Sequence, residues 1–209
     1  MASVVEREST GRIEAFTDGV VAIVITLLIL EIKVPHDLPA GHGLADALLE
    51  LWPSYLAFFA SFATVGIIWV NHRRFFNLIK RTDNTLLLLN LLLLLWVTIV
   101  PFATALVAEH IGLEGERIAA VIYSGLGVLI TLTFSLIWFY AATKKGLIDE
   151  KADQRLLRSI TRMCRVGPAF YLGAVAVALV NVTLSIVVIL LLATLFSLPS
   201  RSSARELIE

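Results

Sequence analysis

The chain is poor in the residues and patterns that build soluble catalytic and metal sites. Its 209 residues include one cysteine, Cys164, which excludes an intramolecular disulfide and gives no zinc spacing. The patterns GxGxxG, HExxH and GxSxG and the P-loop are absent, so the usual signatures of nucleotide-binding proteins and soluble hydrolases are missing. Charged residues make up only 16% of the chain, and seventeen basic residues balance seventeen acidic ones. We therefore expect neither a soluble enzyme nor a nucleic-acid-binding protein.

Long hydrophobic runs take the place of these missing features. Hydrophobic residues make up 58% of the chain, and the mean hydropathy is +0.86. Several uncharged runs approach the roughly 20 residues that an α-helix needs to cross a hydrocarbon core about 30 Å thick. The composition predicts an all-α, multi-pass membrane protein that forms a single transmembrane domain over residues 1–209.

Proline and polar residues divide the hydrophobic runs into helices. Pro35 ends the first run, Pro53 lies near the start of the second, and Pro101 is expected to bend the third. The last apolar stretch suits two short spans that turn near Asn181 better than one long span. The resulting six transmembrane helices cover about 14–34, 44–76, 84–108, 117–143, 166–180 and 183–198.

The basic residues are distributed very unequally between the two sides that six spans define. Only Lys33 and Arg117 fall on one side, and the other fifteen fall on the opposite side. Those fifteen are Arg7, Arg12, Arg73, Arg74, Lys80, Arg81, Lys144, Lys145, Lys151, Arg155, Arg158, Arg162, Arg165, Arg201 and Arg205. The positive-inside rule then predicts that both termini are cytoplasmic. A single span in place of the last two would put the carboxy terminus outside.

The basic linker from Lys144 to Arg165 is typical of a topology determinant that also contacts lipid headgroups. Arg155, Arg158, Arg162 and Arg165 lie three or four residues apart. This spacing predicts an amphipathic cytoplasmic helix.

The first hydrophobic helix is the main functional candidate because charged residues crowd its ends. The uncharged stretch between Asp18 and Glu31 spans roughly 18 Å of helix, less than the hydrocarbon core of about 30 Å. An ionisable group at membrane depth usually faces protein or a water-filled cavity. Ile23, Leu27 and Leu30 form one stripe, with Thr26 beside it and Asp18 on the opposite side. We expect the Asp18 face to pack inside its own bundle, which leaves the stripe for lipid, another subunit or a pore.

Polar residues recur at the cytoplasmic ends of the first three helices. They are Arg12, Thr17, Asp18, Trp69, His72, Asp83 and Asn90. One interpretation is a hydrogen-bonded clamp that satisfies buried polar groups. The other is a proton relay or a catalytic His/Asp pair. The clamp is favoured because neither a nucleophile nor a metal-ligand set accompanies the histidine.

The segment Arg12-x-x-x-Phe16-Thr17-Asp18 resembles the Arg-x-x-x-Phe-Ser-Asp signature of the transmembrane protein 175 family, bacterial relatives of the lysosomal potassium channel. Trp69-x-x-His72, followed by Asp83 and Asn90, is also similar to the second and third helices of that family. The resemblance covers about residues 12 to 100. Thr17 replaces the usual serine and keeps its hydroxyl group.

This resemblance implies a homotetramer of six-helix subunits in which the first helix of each lines a central potassium-selective pore. The Thr-Val-Gly-Tyr-Gly filter of ordinary potassium channels is absent from that family and from this chain. Hydrophobic constriction rings map onto Ile23, Leu27 and Leu30, and Thr26 maps onto a polar layer. The signature residues, together with their partners on the second and third helices, position the pore helix. They are Arg12, Phe16, Thr17, Asp18, Trp69, His72, Asp83 and Asn90.

The same resemblance implies potassium ions as the permeant species and no cofactor. The partners are then membrane lipids and further copies of the chain, and the location is the plasma membrane of a bacterium.

Two other functions compete with a channel. A proton-linked secondary transporter would use Asp18 and His72 as its titrating pair, but the internal repeat that is frequent in such folds is not evident. An intramembrane enzyme acting on lipid would use His72 and Asp83, but it lacks nucleophile and metal motifs.

Overall fold

The computed structural model describes residues 2–36, 43–144, 146–149 and 152–197, and these residues are almost entirely helical. A short 3₁₀ helix, Leu28–Glu31, continues directly from the first α-helix. The α-helices are α1 (Ala2–Leu27), α2 (Leu44–Glu50), α3 (Trp52–Leu78), α4 (Asn84–Thr98), α5 (Val100–His110), α6 (Glu116–Thr143), α7 (Gln154–Ala178) and α8 (Val182–Ser197).

Four helical runs among the described residues are long and apolar enough to cross a membrane. They are Thr10–Glu31, Trp52–Leu78, Asn84–His110 and Glu116–Thr143. By contrast, α7 carries arginines along its first half, and α8 has only 16 residues. The number of crossings made by the α7–α8 hairpin therefore stays a prediction.

Prolines explain most of the differences between the expected and observed helix bounds. The first helix begins earlier than expected and gives way to extended backbone at Ile32. Pro35 cannot donate to the carbonyl of Glu31, and its ring crowds that carbonyl, so the helix cannot continue past this point. The helix expected over 44–76 is divided at Leu51, which puts Pro53 in the first turn of α3. There its missing N–H group has no helical partner to lose.

The helix expected over 84–108, with a bend at Pro101, is interrupted at Ile99, two residues before the proline, and divides there into α4 and α5. Pro101 cannot donate to the carbonyl of Val97, and its ring crowds that carbonyl. At Ile99 the backbone makes a hydrogen bond of the 3₁₀ type, because the Ile99 N–H group donates to the carbonyl of Trp96, three residues earlier, over 3.3 Å.

The carboxy-terminal half differs most from expectation. The separate amphipathic helix and the fifth span expected over 166–180 are one continuous helix, α7, which contains Pro168. A break at residues 179–181 separates it from α8. The expected helix end at residue 198 and the two arginines after it, Arg201 and Arg205, lie outside the described residues.

The core is built around α6, which packs against α4, α5, α7 and α8. Ile137 and Trp138 of α6 are fully buried. At Gly127 the Tyr171 ring of α7 approaches so closely that an added Cβ atom would lie 2.5 Å from it. Near the end of α3, an antiparallel bridge joins Ile79 to Ile148 and fastens the α6–α7 loop to α3. Against this core, α4 packs on α6, and α1 packs on α3 and α4.

Candidate functional site

The helix α1 has two distinct faces. Its buried face repeats every three or four residues and packs against α3 and α4. The buried residues are Thr10, Ile13, Thr17, Val21 and Val24 of α1, and Leu28 of the 3₁₀ helix that follows it. On the other side, the exposed fractions of Ile23, Leu27 and Leu30 are 61%, 42% and 62%. In the single subunit, these three large apolar side chains have no packing partner that covers them.

The exposed stripe continues across the change from α-helix to 3₁₀ helix. Ile23 and Leu27 lie about one α-helical turn apart, and Leu27 and Leu30 lie one 3₁₀ turn apart, where residues three apart eclipse each other. The Thr26 hydroxyl lies beside the stripe and donates within its own helix, to the carbonyl oxygens of Ile23 at 2.8 Å and Ala22 at 3.0 Å. The stripe is therefore regular despite the irregular end of the helix.

A buried chain of hydrogen bonds holds α1 to α3 and α4. The Asn90 amide nitrogen donates to Thr17 Oγ1 over 3.0 Å, and Asn90 Oδ1 lies 2.9 Å from His72 Nε2. All three side chains are at least 97% buried. The His72 ring stacks on Phe76, with ring centroids 4.2 Å apart. These contacts form one buried hydrogen-bonded chain that runs from α1 through α4 to α3.

Asp18 occupies a different position from the one expected. It is exposed, and its Oδ1 accepts a hydrogen bond of 2.7 Å from the Trp69 indole N–H of α3. Successive helical residues are rotated by about 100°, so that burial of Thr17 puts Asp18 outside the buried face of α1. The expectation that the Asp18 face would be buried was wrong in this detail, because Thr17 is the buried anchor. A hydroxyl group costs less to bury there than a carboxylate.

Asp83 lies outside the buried chain and serves as the N-cap of α4. One carboxylate oxygen accepts from the Leu86 backbone N–H at 2.9 Å, and the other accepts from the Tyr140 hydroxyl at 2.7 Å and from the Lys144 ammonium group. Partial burial of Asp83 opposes its ionisation, but the hydrogen bonds from Lys144, Leu86 and Tyr140 outweigh it and lower the pKa of Asp83 to about 2. This carboxylate therefore ties the start of α4 to the end of α6.

Arg12 and Phe16 are not drawn into the buried network. Both lie on the exposed side of α1, and 55% of Phe16 is exposed. They continue the stripe toward the amino terminus of the helix. Among the signature residues, the structure thus brings Thr17 and Asp18 to α3 and α4 and leaves the other two on the free face.

A second buried polar cluster was not predicted from the sequence. The Thr104 hydroxyl of α5 donates to Ser61 Oγ of α3 at 2.7 Å, and Ser61 Oγ lies 2.9 Å from the Tyr123 hydroxyl of α6. Serine and threonine are scattered through every span, and no spacing distinguishes these three. Within the residues that the structure describes, no group of three or more histidine, cysteine, aspartate or glutamate side chains is placed to hold a metal ion.

The comparisons with known proteins identify the family of the chain. A family model described as "Endosomal/lysosomal potassium channel TMEM175" matches residues 12–101. A potassium channel of Chamaesiphon minutus is 48% identical over 203 residues, which cover 97% of this chain and 100% of that protein. The crystal structure of a lysosomal potassium-selective channel TMEM175 homolog from Chamaesiphon minutus superposes with a TM-score of 0.82, at 46% identity, over 91% of this chain and 97% of that one.

A more distant relative is the endosomal/lysosomal proton channel TMEM175 of Gallus gallus. It is 38% identical over 150 residues, which cover 68% of this chain and 29% of that protein. The family is one of ion channels and not of enzymes. Because a relative 48% identical matches almost the whole chain and a solved family structure shares its fold, the protein belongs to the TMEM175 family of membrane ion channels.

Proposed function

We propose that the protein is a potassium-selective channel in which four copies of α1 surround a central pore. The observation that carries this proposal is the exposed stripe of Ile23, Leu27 and Leu30 on a helix whose opposite face is fixed by buried hydrogen bonds. The choice of potassium is supported by the names of the bacterial relatives.

The stripe has the chemistry of a hydrophobic gate. In a fourfold assembly each of the three residues forms an apolar ring, and the rings follow one another at intervals of about 6 Å along the axis. A narrow apolar ring expels water, and a pore without water does not conduct ions. Small outward movements of α1 rewet the constriction and open the pore.

Thr26 supplies a polar layer between the first two rings. Its hydroxyl hydrogen is engaged by the helix backbone, so the lone pairs of its oxygen face the pore and can contact a cation that has shed part of its water. Because potassium is less strongly hydrated than sodium, we expect the apolar rings to hinder the passage of potassium less than that of sodium.

The clamp of Thr17, Asn90 and His72 fixes the rotation of α1. A helix turned by one residue about its axis would present a different side chain to the pore. Such a rotation is costly, because it would break the buried hydrogen bonds to α3 and α4 and leave buried polar groups without partners. The clamp therefore supports the pore without contacting the ion.

We place the subunit in the bacterial plasma membrane with six crossings and both termini in the cytoplasm. The support for this topology is the bias of fifteen of the seventeen basic residues toward one side.

The proposal is tested by recording from the purified protein in planar bilayers. We expect unitary potassium currents, and we expect Ile23→Asn or Leu27→Asn to raise the basal conductance or to erode the selectivity for potassium over sodium. Leu136→Asn is the matched control, because Leu136 is 52% exposed on α6, away from the stripe. Unchanged currents from both stripe variants would contradict the assignment of the pore.

A proton-coupled function is the second candidate, because the avian relative is named as a proton channel. In a proton-linked transporter, Asp18 and His72 would form the titrating pair. In the structure these two residues do not pair with each other, because Asp18 accepts from Trp69 and His72 pairs with Asn90. Slow, saturable potassium flux that requires a pH gradient in vesicles would favour the transporter, and unitary currents without such a gradient would favour the channel.

A further inference from the structure

The first half of α7 carries a row of four arginines. Arg155, Arg158, Arg162 and Arg165 follow one another at spacings of three, four and three residues, which puts them on one side of the helix. All four are exposed, whereas Ile160 and Cys164 on the other side are buried. We call these four residues the arginine face of α7.

The arginine face has no acidic partner in the part of the chain that the structure describes. The ion pairs found there are Lys33–Glu31, Lys80–Asp149 and Lys144–Asp83, and none of them includes an arginine of this face. Four guanidinium groups on three turns of one helix repel one another unless anions lie between them. The face is therefore complementary to a surface rich in negative charge.

The same side of α7 continues without a break into an apolar surface. Beyond Arg165, the exposed residues include Val166, Phe170 and Leu172, of which 40%, 53% and 57% are exposed. Because α7 is one helix to Ala178, the cationic and apolar parts have a fixed relative orientation. Exposed apolar side chains outside the proposed pore are suited to contact with acyl chains, and the arginines adjoin them on the same helix.

The length of α7 brings the arginines within reach of the lipid headgroups. The rise from Val166 to Ala178 is roughly 18 Å, less than a hydrocarbon core of about 30 Å. If Ala178 reaches the far boundary of the core, the near boundary falls close to Arg158. Arg162 and Arg165 then extend along the helix toward the headgroups, as long cationic side chains do near membrane interfaces.

We propose that the arginine face of α7 is a binding site for anionic phospholipid headgroups. A guanidinium group matches a phosphate with two parallel hydrogen bonds, and a basic residue near an anionic membrane surface strengthens binding by about fivefold. Lipid is the occupant because the face is continuous with the surface that contacts the acyl chains. This inference concerns lipid binding and stands independently of the proposed pore.

The test is native mass spectrometry of the full-length protein in detergent, titrated separately with phosphatidylglycerol and with phosphatidylcholine. We expect the unmodified protein to bind phosphatidylglycerol at least tenfold more tightly than phosphatidylcholine. The variant with all four arginines changed to glutamine is expected to lose this preference. Arg117→Gln, which changes an exposed arginine outside this face, should keep it.

Three results would overturn the proposal. The first is equal affinity of the unmodified protein for the two lipids, and the second is an unchanged preference in the fourfold variant. The third is displacement of phosphatidylglycerol by millimolar inorganic phosphate, which would show a site for soluble anions. If the fourfold variant does not fold, Arg155→Gln with Arg158→Gln provides the test, and the preference should fall by about tenfold or more.

Discussion

Replacing Asn90 by leucine removes the central member of the buried clamp while keeping a side chain of similar size. Asn90 both donates to Thr17 and pairs with His72, and all three residues are at least 97% buried. The change leaves His72 Nε2 without a partner, at a cost of about 1–3 kcal/mol. It also removes the hydrogen bond to Thr17, which contributes about 1 kcal/mol. We therefore expect Asn90→Leu to destabilise the subunit by about 2–4 kcal/mol.

This loss is large enough to measure by thermal unfolding of the purified protein, followed by its tryptophan fluorescence. For a chain of this size, 2–4 kcal/mol corresponds to a decrease in Tm on the order of 5–15 °C. The double variant Asn90→Leu with His72→Phe replaces both polar partners with apolar groups. Because Phe76 already stacks on the ring at position 72, we expect the double variant to recover much of the lost Tm.

Two results would refute this reasoning. An unchanged Tm in Asn90→Leu would show that the buried hydrogen bonds do not support the helix packing. Strictly additive losses in the double variant would show that His72 contributes through something other than its pairing with Asn90.

Three further predictions concern other contacts. Gly127→Ala pushes a methyl group into the Tyr171 ring and should destabilise the protein by about 1–3 kcal/mol, whereas Gly125→Ala, which meets open space, should be neutral or slightly stabilising; thermal unfolding compares the two. The pKa of Asp83 in the folded protein is about 2, below its ordinary value of 3.8. The ionised Asp83 carboxylate therefore stabilises the fold above about pH 4, and this contribution is lost as the pH falls toward 2. The Tm difference between the unmodified protein and Asp83→Asn should stay constant from pH 7 to 5 and shrink below pH 4. Thr17→Val should lower the Tm more than Thr17→Ser, because only serine keeps the hydroxyl that accepts from Asn90, and the opposite order would contradict the clamp.

The sequence predicted the parts of the site that depend on helical periodicity. The stripe of Ile23, Leu27 and Leu30 follows from residues three and four apart, and this spacing gives one face in both α-helix and 3₁₀ helix. The membership of Thr17, His72 and Asn90 in a polar network followed from their shared depth and from the family resemblance. Their pairing could not be predicted in the same way, because it depends on how α3 and α4 pack.

The features that the sequence missed depend on contacts between distant segments. Tyr140 and Lys144 donate hydrogen bonds to Asp83 across a separation of about sixty residues. No local sequence pattern predicts such a contact. The continuity of α7 was missed as well. A change from arginine-rich to apolar composition, with Gly167 and Pro168 at the junction, resembles a boundary between two helices. The helix nevertheless runs through Pro168, and its packing against α6 is a contact between distant segments that the local sequence does not show.

The account depends most on the claim that α1 lines the pore, and cadmium block of an introduced cysteine tests it directly. In a Cys164→Ser background, which removes the only native thiol, Leu27→Cys should bring four thiolates together at one level of the pore. Micromolar cadmium should then block the potassium current, whereas Leu136→Cys should give a channel that cadmium does not affect. Equal sensitivity of the two variants, or a Leu27→Cys channel that conducts normally in cadmium, would contradict the claim.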